Sequence, residues 1–311
     1  MYFRSALLFV VLISFPPASR YSSSPLQGAT YGPPVTLAKI ANVDVNESSG
    51  LVASRTSPGA YWTHNDSGDG PFIYAFDTSG QTLGIFRVTG ATNRDWEDIA
   101  AGPGPQSRRS YLYLGDTGDN DRKRKDVVVY RVPEPQLTPA DKNSTKARPR
   151  TTDPAEAIRL AYPDGPHDAE ALLVHPSTGN LYIVTKVPFG NPAIYEATAP
   201  LTSGKLITLK HLGELQTSTL LGGAITGGSI SPDGRHVALC DYFGGYEIAL
   251  PSTSKNFDDI WKQKLTSFNL GKRKQGESIA YRLDGNAVLA TSEGKSPPLI
   301  QVESGRRRSR M

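Results

Sequence analysis

The sequence predicts an all-β fold, a β-propeller of five four-stranded blades. Three observations lead to this prediction. Apolar runs of four to eight residues alternate with Gly, Pro and Asp turns. No long amphipathic helix stands out between them. A short motif also recurs at intervals of 50, 73, 58 and 49 residues, a spacing that suits four-stranded units repeated around a ring.

Each recurrence of the motif predicts the start of the innermost strand of one blade. These starts are Glu47–Leu51, Glu97–Ile99, Glu170–Val174, Gly228–Ile230 and Glu277–Ile279. Second strands are predicted at Ala60–His64, Ser110–Leu114, Leu181–Thr185, His236–Cys240 and Ala287–Thr291. Third strands are predicted at Phe72–Phe76, Val127–Tyr130, Ala193–Tyr195, Tyr246–Ala249 and Leu299–Val302.

Four units continue into a fourth strand, and the fifth does not. The predicted fourth strands are Thr82–Val88, Ala157–Ala161, Leu206–Leu212 and Trp261–Asn269. An unassigned strand at Val35–Ile40 precedes the first unit and is expected to complete the fifth blade, which closes the ring. A polar, Pro-rich insertion, roughly Glu134 to Asp153, leaves a sixth, irregular blade as the alternative.

The basic balance of the chain belongs to its ends. The 311 residues carry a formal net charge of +4, and the sequence pI is about 9.0. Five of the 34 basic residues are Arg4, Arg306, Arg307, Arg308 and Arg310, which leaves 29 basic residues against 30 acidic ones. The composition therefore indicates no nucleic-acid partner for the body of the protein. The single Cys excludes a disulfide framework and any multi-cysteine metal site.

The N-terminus is typical of a secretory signal peptide. Arg4 precedes the apolar run Ala6–Phe15, and small residues follow. We therefore predict a signal peptide at residues 1–19, a flexible lead-in at 20–34, the propeller at 35–303 and a basic, disordered tail at 304–311. The expected location is secreted or periplasmic, with anchoring by an uncleaved leader as the alternative. A monomer without an integral membrane domain beyond such a leader is expected.

Acidic residues are expected to converge at one end of the central channel. In a propeller the inner strands begin at the same end of the channel at which the second strands finish. We call this end of the channel the mouth. The acids predicted there as metal ligands are Glu47, Asp66, Glu97, Asp116, Glu170, Asp241, Glu277 and Glu293. Several carboxylates in one concavity repel unless a cation is present, and hard oxygen ligands suit Ca²⁺ or Mg²⁺. The competing interpretation is structural: turn formation by Asp, and acceptance of backbone hydrogen bonds by the inner Glu residues.

Four further side chains are candidates for catalysis or substrate binding. His64 and His167 are predicted at the mouth, where either can act as a general base beside a carboxylate; hydrogen-bonded turn histidines are the alternative. Lys186 ends the second strand of blade three, where other blades carry acids, and with Arg94 it can bind an anionic substrate group. Lys186 paired with neighbouring acids is the alternative. The basic run at 122–125 is expected to be a solvated hairpin loop.

Several motifs resemble those of secreted bacterial β-propellers that are called phytase-like or esterase-like. They are Glu47–Leu51, Trp62–Gly68, Asp95–Ile99, Tyr113–Asn120, His167–Leu172 and Gly276–Ala280. This resemblance covers nearly all of the predicted domain. It implies calcium ions held by the acids of the channel mouth, with Lys and Arg assisting in phosphate binding.

Two functions are consistent with the sequence. The first is a divalent-cation-dependent hydrolase, with Ca²⁺ as cofactor, that acts on a phosphorylated or ester-containing small molecule. The second is a non-catalytic propeller that binds a small-molecule or cell-envelope ligand, with at most a structural Ca²⁺. No serine-hydrolase elbow, Walker loop or dinucleotide fingerprint occurs in the chain.

Overall fold

Five β-sheets make up the protein. The computed structural model describes residues 31–216 and 224–305. Each sheet has four antiparallel strands, and two sheets carry one additional strand. From the channel outwards the four strands follow the sequence order, except that the outermost strand of the last sheet is the first one of the chain. The prediction of a five-bladed β-propeller is therefore confirmed.

The strands are numbered in chain order. Strand β1 (Val35–Lys39) precedes blade one, which holds β2 (Ser48–Ala53), β3 (Ala60–Asn65), β4 (Phe72–Asp77) and β5 (Thr82–Arg87). Blade two holds β6 (Trp96–Pro103), β7 (Ser110–Asp116), β8 (Val127–Pro133) and β10 (Glu156–Ala161), and the short β9 (Arg150–Thr151) lies between β8 and β10 in sequence. Blade three holds β11 (Ala169–Val174), β12 (Leu181–Thr185), β13 (Ala193–Ala197) and β15 (Lys210–Glu214), with β14 (Leu206–Thr208) before its last strand. Blade four holds β16 (Gly227–Ile230), β17 (His236–Cys240), β18 (Gly245–Ala249) and β19 (Thr266–Phe268), and blade five holds β20 (Gly276–Tyr281), β21 (Ala287–Ser292) and β22 (Pro298–Glu303).

Both faces of the blades are buried, which explains the continuous apolar runs in the sequence. Along β12, Leu181 and Ile183 pack towards blade two, and Tyr182 and Val184 pack towards blade four. Side chains alternate between the two faces of a strand, so each strand contributes to two hydrophobic clusters. Five such clusters fill the five interfaces between neighbouring blades, including the interface between blades five and one.

Burial of the aromatic side chains follows the same arrangement. The buried aromatic residues of the strands include Tyr61, Trp62, Tyr74, Tyr111, Tyr113, Tyr130, Tyr182 and Tyr195. Cys240 is fully buried in the interface between blades four and five. Burial raises the pKa of its thiol to about 12, so this cysteine is an unreactive core residue.

The ring is closed by the first strand. β1 pairs antiparallel with β22, with Thr36 opposite Ile300, and completes blade five as predicted. Buried hydroxyl groups link the inner strands of blades one and five: Ser48 Oγ lies 2.8 Å from both Thr63 Oγ1 and Thr291 Oγ1, and Ser278 Oγ also contacts Thr291 Oγ1. Strand pairing and this hydroxyl network therefore join the two ends of the chain.

The insertion after β8 covers blade one and forms no sixth blade. Its short 3-10 helix (Pro139–Asn143) is followed by β9, which pairs in parallel with β5. Glu134 is buried, and its Oε1 accepts hydrogen bonds from Ser54 Oγ and from Trp62 Nε1. The insertion is thus attached to blade one by a buried carboxylate and a backbone ladder.

Two predicted fourth strands were wrong in their extent. In blade three the predicted strand is divided: β14 pairs in parallel with β10 of blade two, and only β15 pairs with β13. Leu209, between the two pieces, is buried in the interface between blades two and three. In blade four, Trp261 belongs to a 3-10 helix (Phe257–Lys262) that is capped by the Asn256 side chain, so the strand begins only at Thr266.

The ends of the described chain lie against blades four and five. Tyr31, within the predicted lead-in, stacks on Phe268 with ring centroids 3.9 Å apart, and it forms a bridge with Ser304. The predicted signal peptide and the arginines of the tail lie outside the described residues. Among the residues described, no helix has the length and apolarity to cross a membrane.

Candidate functional site

A β-bulge begins the inner strand of four blades. The strand register shifts at equivalent positions in β2, β6, β11 and β20, which leaves one extra residue unpaired in each. The extra residues are Ser49, Glu97, Glu170 and Glu277. In blade one this position holds Ser49, so Glu47 is not the counterpart of Glu97. β16 of blade four pairs without a shift and has Gly227 and Gly228 instead.

Three carboxylates form the centre of the site. Asp66 follows β3, Asp95 precedes β6, and Glu97 is the bulge residue of β6; each offers an oxygen atom within 4.8 Å of the others. Glu97 is only 4% exposed. Among the described residues, no hydrogen bond or ion pair reaches its carboxylate. A buried carboxylate without a partner is costly, so this group either is protonated or meets a cation.

Gly118 packs directly against this cluster. A Cβ atom at position 118 would collide with Glu97 Oε1 and Asp95 Oδ2. The backbone N–H of Gly118 donates to the Asp95 carbonyl at 3.2 Å, which fixes the loop after β7 against the start of β6. The absence of a side chain at this position therefore lets two of the three carboxylates lie close to the loop.

Burial and mutual repulsion raise the pKa values of these acids. Burial, followed by the charges of Asp66 and Asp168, raises the pKa of Asp95 to about 6. Burial, followed by the charges of Glu170 and Asp66, raises the pKa of Glu97 well above its ordinary value. A divalent cation would reverse both effects because it stabilises the ionised forms.

A second group of acids surrounds a single lysine. Lys186 Nζ forms an ion pair with Glu170 Oε1 and lies 5.3 Å from the ring centroid of Tyr242. Burial lowers the pKa of Lys186, but the Glu170 carboxylate outweighs it and raises the value. Glu170 Oε2 is buried without a hydrogen-bond partner among the described residues. Burial, partly offset by a hydrogen bond from Gln275, raises the pKa of Glu277 to about 7.

Glu47 and Glu293 lie at the edge of the site. Their backbones form an antiparallel bridge, and both side chains are half-buried. Burial, followed by the charges of Asp66 and Glu47, raises the pKa of Glu293. These two acids can therefore supply outer ligands or charge, while Asp66, Asp95 and Glu97 are the oxygens that the fold brings closest together.

Two predicted ligands already have protein partners. Asp116 Oδ1 forms a 2.8 Å ion pair with Arg124. Asp241 accepts hydrogen bonds from Phe243 N, Gly244 N and Tyr246 Oη at 2.8, 2.6 and 2.6 Å. Their geometry matches the structural interpretation of these aspartates. Arg124 is 8% exposed, so the expectation that the whole basic run is solvated was wrong at this residue.

Asp98 is a central residue that the sequence did not single out. It is fully buried, and its Oδ2 accepts from Leu172 N at 3.0 Å and from Gly228 N at 3.2 Å. One carboxylate thus joins the inner strands of blades two, three and four. This is the role that the structural interpretation gave to the inner glutamates. Its position beside Glu97 was the only available signal.

The two candidate histidines are engaged elsewhere. His64 is fully buried, its Nδ1 lies 2.9 Å from the Asn65 carbonyl, and burial lowers its pKa. His167 Nε2 lies 2.9 Å from Tyr195 Oη and 3.1 Å from Asp164 Oδ1. Neither ring contributes an atom to the three-carboxylate cluster. The geometry therefore matches the alternative of hydrogen-bonded structural histidines.

The side chains of the two candidate basic residues differ in whether an ion pair holds them. Lys186 is held by Glu170, as its alternative interpretation stated. Arg94 is exposed, and only its backbone N–H is fixed, by a 3.2 Å hydrogen bond to Asp116 Oδ2. Of the two, Arg94 is the cation that can reach an anionic ligand without first breaking an ion pair.

Comparisons with known proteins assign no family to this chain. No family model and no curated protein matches the sequence. Among solved structures, a chain of a nidogen/laminin complex is 12% identical, with a TM-score of 0.43, 86% of this chain covered and 89% of that chain covered. A putative oxidoreductase (glucose dehydrogenase) from Thermus thermophilus is 10% identical, with a TM-score of 0.45 and coverages of 88% and 100%. The resemblance to phytase-like propellers therefore stays a prediction.

Proposed function

We propose that the channel mouth binds a divalent cation, with Ca²⁺ as the preferred ion. The buried carboxylate of Glu97, clustered with Asp66 and Asp95 and without a hydrogen-bond partner in the described part of the chain, carries this proposal. Three oxygen donors from two blades fit a hard cation that completes its coordination with water. Glu170, Glu277 and Glu293 would add negative charge around it.

We further propose that the protein is a secreted, cation-dependent hydrolase of a phosphorylated or ester-containing small molecule. A bound cation would supply Lewis-acid chemistry to a phosphoryl or carbonyl oxygen. Arg94, which is exposed beside the cluster, would bind the anionic group of the substrate. The mouth carboxylates, rather than His64 or His167, would accept protons there.

The second candidate is a non-catalytic propeller that binds a ligand or an envelope partner. The contacts of His64 Nδ1 with the Asn65 carbonyl and of His167 Nε2 with Asp164 and Tyr195 favour it, because neither ring contributes an atom to the three-carboxylate cluster. In this case the cation stabilises the mouth and takes no part in a reaction.

Calorimetric titration with Ca²⁺ and Mg²⁺ tests the cation site, and Glu97→Gln is the informative variant. Glu303→Gln, on the exposed end of β22, is the matched control. Absence of cation binding by the unmodified protein would overturn the proposal. A panel of phosphate and carboxylate esters, with and without chelator, then separates the two candidates, since only a hydrolase shows cation-dependent turnover that Glu97→Gln removes.

A further inference from the structure

The most exposed apolar side chains of the described chain lie on loops at the mouth. Val43 is 82% exposed, Phe189 78% and Phe243 67%. They belong to the loops that precede β2, follow β12 and follow β17, in blades one, three and four. The other exposed large apolar residues are between 37% and 54% exposed, and they are Val35, Leu37, Leu206 and Leu283. All three lie at the same end of the molecule, so that one flat partner surface can meet them together.

Basic residues surround these apolar positions on the same end of the molecule. The exposed basic residues of the mouth loops are Arg94, Arg122, Lys123, Lys125, Lys272, Lys274 and Lys295. Within the described chain, only Lys123 among them takes part in an ion pair, with Asp121. The exposed acids described at this end are Asp121 and Asp164 on the loops and Glu214 at the end of β15, three against seven exposed basic residues. The outer part of the mouth is therefore basic and apolar.

The charges of the mouth are separated by depth. The acids Asp66, Asp95 and Glu97 lie within the channel and are half-buried or buried, while the basic side chains lie on the loop tips. Without a cation the inner carboxylates oppose the approach of an anionic surface. A bound divalent ion cancels much of that negative charge and leaves the basic loops to dominate the electrostatic potential of this face.

We infer that this face, the mouth loops with Val43, Phe189, Phe243 and the seven basic residues, docks on an anionic lipid surface when the mouth holds its cation. The inference rests on the cation binding of the proposed function. Apolar tips on three loops of different blades suit insertion into a flat interface. Apolar side chains enter the headgroup region, and Lys and Arg pair with anionic headgroups.

Co-sedimentation with lipid vesicles tests the inference. Vesicles of phosphatidylcholine with about one quarter phosphatidylserine should bind the protein in Ca²⁺ but not in chelator, and phosphatidylcholine alone should bind it weakly. Added salt should weaken binding. The double variant Phe189→Ser/Phe243→Ser should lower the partition coefficient by about tenfold or more, because it removes the apolar insertion. Leu206→Ser, a change on β14 at a residue 51% exposed, is the matched control and should not alter it.

The outcomes separate this inference from the proposed function. Calorimetric Ca²⁺ binding without vesicle binding overturns the docking surface and leaves the cation site standing. Vesicle binding that the double variant retains in full also overturns it, as does binding to heparin in place of vesicles. Absence of Ca²⁺ binding overturns the proposed function, and with it the cation dependence of docking.

Discussion

Glu97 shows how one residue can couple the fold to a ligand. Its side chain extends from a β-bulge into the channel, is 4% exposed and lies beside two other acids. In the absence of a cation the folded state must keep this carboxyl protonated or bear the cost of its charge. Stability and cation binding therefore depend on the same group.

The raised pKa values predict that the ion-free protein loses stability as pH rises. The folded state holds the protons of Asp95, Glu97 and Glu277 more tightly than the unfolded chain does, so the free energy of unfolding falls with pH. The window runs from the unfolded pKa values near 4 to the folded values of about 6 for Asp95 and about 7 for Glu277. The Tm in chelator should be lower at pH 8 than at pH 5 by about 5 °C or more.

Saturating Ca²⁺ should remove most of the decrease in Tm between pH 5 and pH 8, because the ion binds only the ionised carboxylates of the folded state. Glu97→Gln should raise the Tm in chelator at pH 8 and abolish the effect of Ca²⁺. Thermal unfolding followed by circular dichroism at both pH values measures the difference. A Tm in chelator that rises with pH would contradict the assignment of these acids.

Gly118 offers a second prediction at the residue scale. A methyl group at this position would enter the space beside Asp95 and Glu97, so Gly118→Ala should weaken Ca²⁺ binding by about tenfold or more, which corresponds to ~1.4 kcal/mol. Gly32→Ala is the control, since a Cβ there meets Glu303 at an ordinary 3.7 Å. Equal Ca²⁺ affinities of the two variants in calorimetry would show that Ca²⁺ does not bind beside Gly118.

Among the elements, the inner strands are joined across the channel by side chains as well as by packing. Asp98 of β6 accepts backbone hydrogen bonds from β11 and β16. Blade four allows this close approach because it has glycines in place of a bulge and a glutamate. A Cβ atom on Gly227 would lie 2.6 Å from the Glu277 carbonyl oxygen, so the absence of the acid in blade four has a packing reason.

Asp98→Asn should destabilise the protein by about 2 kcal/mol. The amide can turn its own N–H group towards the two buried backbone N–H groups that donate to the carboxylate in the unmodified protein. Urea unfolding measures the change. Asp153→Asn is the control: it alters an exposed ion pair with Arg109 and should cost less than about 1 kcal/mol. If Asp98→Asn lowers the free energy of unfolding no more than the control does, Asp98 does not hold the three blades together.

At the scale of the molecule, the interface between blades five and one depends on residues from both ends of the chain. Ile40 is fully buried there with Leu289 and Leu299, and β1 supplies the outer strand of blade five. Its loss would expose the edge of β22 and part of this cluster.

A chain that begins at Ala41 should therefore have a Tm lower by about 10 °C or more than a chain that begins at Tyr31. Calorimetry of the two purified proteins measures this. If the shorter chain does not fold, Ile40→Ala in the longer chain tests the same contacts. This substitution should lower the free energy of unfolding by about 2–5 kcal/mol. Val35→Ser, at a residue 54% exposed, is the control. A shorter chain as stable as the longer one would contradict the closure.

The repeat in the sequence was sufficient to predict the number and the strands of the blades, because apolar runs and turns are local signals. It could not predict that the strand 206–212 is shared between two blades, since pairing of β14 with β10 depends on tertiary contact. At the site, the spacing predicted that Asp66 and Glu97 lie at one end of the channel, and the fold brings them close together. The spacing misaligned Glu47 with Glu97, because the position of a bulge is not visible in one sequence. The burial of Arg124 and of His64 likewise depends on neighbours that are distant in the chain.

The pairing of β1 with β22 also has a consequence for the time course of synthesis. Lys39 leaves the ribosome long before its partner Pro298 is made. At about 5–20 residues per second the first strand waits on the order of tens of seconds for its pairing partner. The final interface of the ring therefore forms only after Pro298 has been made, and until then residues 35–39 remain accessible to factors that bind nascent polypeptides.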